Sequence, residues 1–142
     1  MTKVLVCGGR HYTNKGVVFA TLDELHNELG ITEIIEGGQR TRSRRGEPWI
    51  GDASPGPFIG GADYWGNVWG KERRIPMVST FPANWYPEGP GTKLDRAAGF
   101  KRNALMCSMQ PDMCVAFPGG NGTADMVARC VAAGIQVLQI LK

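Results

Sequence analysis

Three short runs in this chain combine glycine with residue types that can hold an anion. They are Gly8-Gly9-Arg10, Gly37-Gly38, and Pro118-Gly119-Gly120-Asn121-Gly122-Thr123, and each follows an apolar, strand-like stretch. Glycine lets an oxyanion come close to the backbone, and the first turn of a helix offers unpaired N–H groups with positive partial charge. The third run leads into a helix-like segment, so it reads as a phosphate cradle in which Thr123 adds a hydroxyl or caps the helix. It is not the nucleotide P-loop, since no lysine follows the last glycine, nor the full G-x-G-x-x-G dinucleotide fingerprint. A tight turn accounts for an isolated glycine pair, but not readily for Gly-Gly-x-Gly-Thr at a strand-to-helix junction.

Other side chains divide between chemistry and packing. Arg10, just past the first strand, can clamp a phosphate with two parallel N–H donors. Arg40, Arg42, Arg44 and Arg45 fall within six positions, a basic cluster that suits a polyanion or a nucleic-acid backbone, or is simply a solvated loop. The net charge of +3 is too mild to make nucleic acid the leading partner. His11 and His26 have no Cys, Asp or second His at ligand spacing and read as surface histidines. Cys7, Cys107, Cys114 and Cys130 lack CxxC spacing and sit in apolar surroundings, which predicts buried, reduced thiols in a cytoplasmic protein and no metal site. No cofactor is expected. No apolar run is long enough to span a bilayer, so no membrane partner is expected either.

The elements that position these residues follow from hydrophobic period. Lys3–Cys7, Ile31–Ile35, Ile75–Thr80, Asp112–Phe117 and Ile135–Leu141 read as strands. Helices are expected over 17–29, from Asp63 to about Arg74, over 94–109 and over 123–133, with Gly30 and Gly134 as stops. Residues 39–59 hold the arginine cluster, three prolines and no period, and read as a long loop or insertion. A second Pro/Gly loop, 81–93, carries Trp85 and Tyr86, placed to act as an aromatic lid. Trp65 and Trp69 share a helix face, which predicts core packing or the seam of a homo-oligomer. Strands and helices alternate, and the strands lack polar interleaving. That pattern predicts an α/β fold: one Rossmann-like three-layer sandwich over residues 1–142, with a mostly parallel five-stranded sheet. In such sheets ligands bind beyond the carboxyl ends of the strands, where all three glycine runs would lie.

Five stretches in order carry a resemblance: VLVCGGRHYTN, GGAD, FPANW, AAGFKRNALM and VAFPGGNGTADMV. They resemble the SLOG superfamily, which groups Rossmann-like relatives of the Lonely Guy and DprA proteins, and within it the YspA-like, cpYpsA-related branch. The resemblance implies a nucleotide or nucleotide-derived ligand held among the loops. The residues around it would be Gly8, Gly9, Arg10, Gly37, Gly38, Gly61, Asp63, Arg102, Asn103, Pro118, Gly119, Gly120, Asn121, Gly122 and Thr123. Gly119, Gly120, Gly122 and Thr123 match the Lonely Guy phosphate motif, and Arg102 looks like that family's substrate-contacting arginine. Members similar to Lonely Guy hydrolyse the N-glycosidic bond of nucleoside 5′-monophosphates; others are proposed to sense or sequester nucleotide signals.

Two departures bear on which of these applies. The Lonely Guy motif has a catalytic glutamate three residues after its threonine, and here that position is Met126. Glycosidic cleavage wants a carboxylate near the ribose. Asp125 sits about 100° around the helix from that position, and Asp63 is the other carboxylate within reach. The second departure is the insertion itself. Three readings stand: binding, by sensing or sequestration of a nucleotide signal; a phosphoribohydrolase using Arg102 with Asp125 or Asp63; and a single-stranded nucleic-acid binder.

Overall fold

Val4, Leu5 and Val6 are apolar in succession, and a strand apolar on both faces needs cover on both. The computed structural model, which describes residues 2–39, 41–42 and 58–142 with backbone alone at 41, 42, 58 and 59, has that arrangement. Its elements run β1 (Thr2–Cys7), α1 (Lys15–Leu29), β2 (Ile31–Glu36), β3 (Thr41–Arg42), β4 (Phe58–Gly60), α2 (Ala62–Glu72), β5 (Met77–Thr80), α3 (Ala98–Ser108), β6 (Met113–Ala116), α4 (Asn121–Ala132) and β7 (Gln136–Gln139). Five strands form one sheet in the order β5-β2-β1-β6-β7, and every pairing in it is parallel. The fold is α/β and Rossmann-like. The chain steps outward from β1 to β2 to β5, then crosses back to β6, so strand order reverses between β1 and β6. Helices α1 and α2 bury Val18, Leu22 and Trp69 on one face with Val4, Val6 and Ile34. Helices α3 and α4 bury Met106, Met126 and Cys130 on the other with Leu5, Ile35 and Cys114.

Local chemistry sets the boundaries. Asn14 accepts the Val17 N–H at 3.1 Å and starts α1, and Gly30 ends it at φ 69°, the left-handed turn that suits glycine. Helix α3 begins at Ala98, four residues later than the period suggested. Asp95 explains the delay: its carboxylate takes the Ala97 N–H at 2.9 Å while its own N–H goes to Trp85 O at 2.7 Å. The stretch expected as a loop over 39–59 is bounded by a short antiparallel ladder, Thr41 to Gly60 and Arg42 to Phe58. Residues 40 and 43–57 lie outside the described residues, so Arg40, Arg44 and Arg45 do too, as does the Arg42 side chain.

Of the two readings of the tryptophans, core packing is the one found, and the reading of His26 is corrected. Trp69 is fully buried, donating its indole N–H to Asp23 at 2.9 Å, and Trp65 is half-buried. The pair therefore presents no exposed seam, and a homo-oligomer loses that argument. His26 is not a free surface histidine: its Nδ1 accepts the Ile31 N–H at 3.0 Å and its ring packs edge-on against Trp69. Among the described residues no helix is long and apolar enough to cross a membrane.

Candidate functional site

A cavity of about 630 Å³ opens beyond the carboxyl ends of β1, β2 and β6, at the reversal of strand order. The three glycine runs converge there because the strands they follow are neighbours. Gly9 N donates to Pro118 O at 2.8 Å, which draws the β1 and β6 exits together. That approach favours glycine: a Cβ on Gly9 would stand 3.0 Å from Pro118 O, and one on Gly8 would stand 3.0 Å from Phe117 Cβ and 2.6 Å from Ala62 Cβ of α2. A Cβ on Gly119 would collide with the Thr123 hydroxyl and stand 2.7 Å from Gly9 N. Helix α4 begins at Asn121, after Gly120 and with no side-chain cap, so its first N–H groups are left without an intrahelical or capping acceptor where they meet the cavity.

On the α3 side Arg102 donates through Nη1 to Gly37 O at 2.5 Å and through Nε to Asn103 Oδ1 at 3.0 Å. Asn103, itself buried, donates to Gly122 O at 3.0 Å. Arg102 is thus held across the cavity between the β2 exit and the α4 turn. Asp63 is 5% exposed and accepts the Gln39 N–H at 3.1 Å. A Cβ on Gly37 would meet Arg102 Nη1 at 2.5 Å and Asp63 Oδ2 at 3.0 Å, so cation and carboxylate reach the same point of the backbone. Burial pushes the Tyr12 phenol above its ordinary range, and its hydroxyl donates to Lys142 O at 2.7 Å.

Of the residues singled out from sequence, Gly8, Gly9, Arg10, Gly37, Asp63, Arg102, Asn103, Pro118, Gly119, Gly120, Asn121, Gly122 and Thr123 line the cavity. Gly38, Gly61 and Asp125 do not. Gly38 turns the chain at φ 79°, and Gly61 opens α2 at φ 103° while donating to Tyr12 O at 2.7 Å. Asp125 accepts from Arg129 of its own helix at 2.8 Å and from Asn103 of α3 at 3.1 Å. Met126 lines the cavity and is 1% exposed. The sequence reading missed Arg96, Gly99 and Phe100 on the α3 wall; Gly99 and Phe100 stand in the first turn of α3, and Arg96 lies in the loop just before it. His11, read as a surface residue, is exposed and lies on the cavity rim. Among the described residues no three His, Cys, Asp or Glu side chains come together as a metal site would need.

Comparison with known proteins fits this geometry. Residues 2–49 match the family described as YspA, cpYpsA-related SLOG, which bears out the resemblance over that stretch. No curated protein matches the chain. Among solved structures, TM1055, a structural-genomics target, superposes with a TM-score of 0.62 at 18% identity, covering 96% of this chain and 72% of its own. MurG of Acinetobacter baumannii superposes with a TM-score of 0.52 at 15% identity, covering 98% of this chain and 34% of its own. At such identities these two likenesses speak for the fold alone.

Proposed function

We propose, taking its likeness to the YspA-like SLOG proteins as premise, that this chain binds a nucleotide or nucleotide-derived small molecule and acts by sensing or sequestering it. One observation carries the reading: an uncapped helix N-terminus, approached past Gly8 and Gly119, where a side chain would collide, opens into a cavity at the switch point of a parallel sheet. Gly119 to Thr123 would take the phosphate, with Arg102 beside it and Arg10 at the rim. We take the described elements as one such domain, with the segment around 39–59 inserted between β2 and α2.

Calorimetry against nucleoside monophosphates, ADP-ribose and cyclic nucleotides tests this, with Gly120→Ala as the informative variant. A Cβ on Gly120 meets nothing within 4 Å and φ there is −102°, so the free protein should lose no more than about 1 kcal/mol of stability. An oxyanion approaching the α4 N–H groups meets that methyl, and affinity should fall about tenfold or more. No heat with any member of the panel defeats the proposal.

A phosphoribohydrolase is the second reading, and Asp63 is what favours it: a nearly buried carboxylate inside the cavity beside Arg102. Asp125 is engaged with Arg129 and Asn103 instead. Release of free base from nucleoside monophosphates, lost in Asp63→Asn and kept in Asp125→Asn, would establish that activity. Nucleic-acid binding through the arginine cluster rests on residues outside the description and gains no support here.

A further inference from the structure

The α3 wall of the cavity carries groups that neither the cradle nor the core uses. Trp85 is laid over the first turn of α3 so closely that a Cβ on Gly99 would stand 3.3 Å from its Cη2. Phe100 also lines the cavity and is 43% exposed. Neither ring pairs with another aromatic among the described residues. Arg96 completes the wall, exposed and with no hydrogen bond or ion pair among the described residues.

Their height above the cradle follows from the helix. Asn103 donates to Gly122 O at 3.0 Å, which sets that position of α3 level with the first turn of α4. A helical rise of about 1.5 Å per residue places Phe100 roughly 4–5 Å from that level along α3, and Arg96, two residues before the start of α3, lines the cavity from beyond the first turn of that helix. The sequence phosphate cradle, aromatic pair, arginine therefore runs in the order phosphate, base, far edge of the base in a nucleoside 5′-monophosphate. A guanidinium only donates. Guanine and hypoxanthine offer it two acceptors, O6 and N7, whereas adenine puts an amino donor beside N7.

We infer that Trp85 and Phe100 hold a purine ring and that Arg96 reads its edge, so that the site selects 6-keto purine nucleotides over adenine nucleotides. This rests on the nucleotide reading above and deepens it.

Titration of GMP, IMP and AMP into the wild-type protein tests the inference. GMP and IMP should each bind about tenfold tighter than AMP or better, and in Arg96→Ala the ratio should fall towards one. Lys71→Gln, at the far end of α2, removes the same unit of charge and should keep the wild-type ratio. Trp85→Ala should weaken all three nucleotides by about tenfold, and Trp85→Phe should restore most of that loss. Equal affinity for GMP and AMP in the wild type, or a preference that survives in Arg96→Ala, overturns the inference and leaves the nucleotide reading standing. Failure of every nucleotide to bind is a distinct result, and it removes both.

Discussion

Glu36 is a carboxylate with no exposed surface at the last position of β2, and only donors offset the cost of burying it. Its Oε1 accepts the Gly38 N–H at 2.6 Å; its Oε2 accepts Asn67 Nδ2 at 3.0 Å and Thr80 Oγ1 at 2.5 Å. One side chain thus ties the β2 exit to α2 and β5, and holds the turn whose Gly37 carbonyl anchors Arg102. Glu36→Ala strands three donors and should lower stability by about 3 kcal/mol or more. Glu36→Gln keeps one acceptor but turns an amide N–H towards a donor, and should cost about 1–3 kcal/mol. Urea midpoints at constant slope measure both. The sequence hid this residue: a glutamate before Gly-Gly reads as exposed, and its partners come 31 and 44 positions later. That Gly119, Gly120 and Gly122 stand at the cavity was legible because the reason is local, a strand exit meeting a helix start. Arg96 was not, since its place in the wall depends on how the loop over 81–97 closes.

At the scale of elements, α1 and α2 are joined by one carboxylate. Asp23 accepts Trp69 Nε1 at 2.9 Å and takes Arg73 bidentately at 2.8 and 3.0 Å. The Arg73 guanidinium first, and the Trp69 indole second, hold the Asp23 carboxyl below its ordinary value of 3.8. A folded value below the unfolded one gives stability that is complete above about pH 4 and is lost as pH falls through the depressed value. Asp23→Ala should therefore flatten the acid limb of a stability–pH profile below pH 4. At pH 7 it should cost about 1–2 kcal/mol, mainly from the stranded indole N–H, because the half-exposed ion pair is screened by water. An unchanged acid limb would show that the pair contributes nothing. The helices themselves were legible from Val18, Leu22 and Leu25 at helical spacing. Their join was not, because Asp23 and Trp69 are 46 residues apart and period says nothing about which polar group meets which. The β3–β4 ladder escaped notice for another reason: two- and three-residue strands are too short to show alternation.

Across the whole molecule, the thiols report how the candidate site is coupled to the core. Cys114 and Cys130 have no exposed surface and pack with Met106 and Met126 between the sheet and the α3–α4 layer. A hydrogen bond with Cys114, and then burial, pushes the Cys130 thiol up, so it does not react while that layer stays closed. Cys107 is half-buried at the outer side of the same layer. Alkylation of Cys114 and Cys130 therefore requires α3 and α4 to part from the sheet, whereas Cys107 can react from the closed state, slowed by the burial that raises its own thiol. Met126 belongs both to this core and to the cavity lining, and α4 starts from the cavity-lining run Gly119–Gly122. A ligand seated there binds only the closed layer, so by mass action at 100 times its Kd it should slow Cys114 and Cys130 labelling by about 100-fold and leave Cys107 nearly unchanged. Timed iodoacetamide labelling read by peptide mass spectrometry resolves the sites. Protection of Cys107 to the same degree would mean that ligand tightens the whole chain rather than this layer. No protection of Cys114 and Cys130 would place the opening motion away from the cavity.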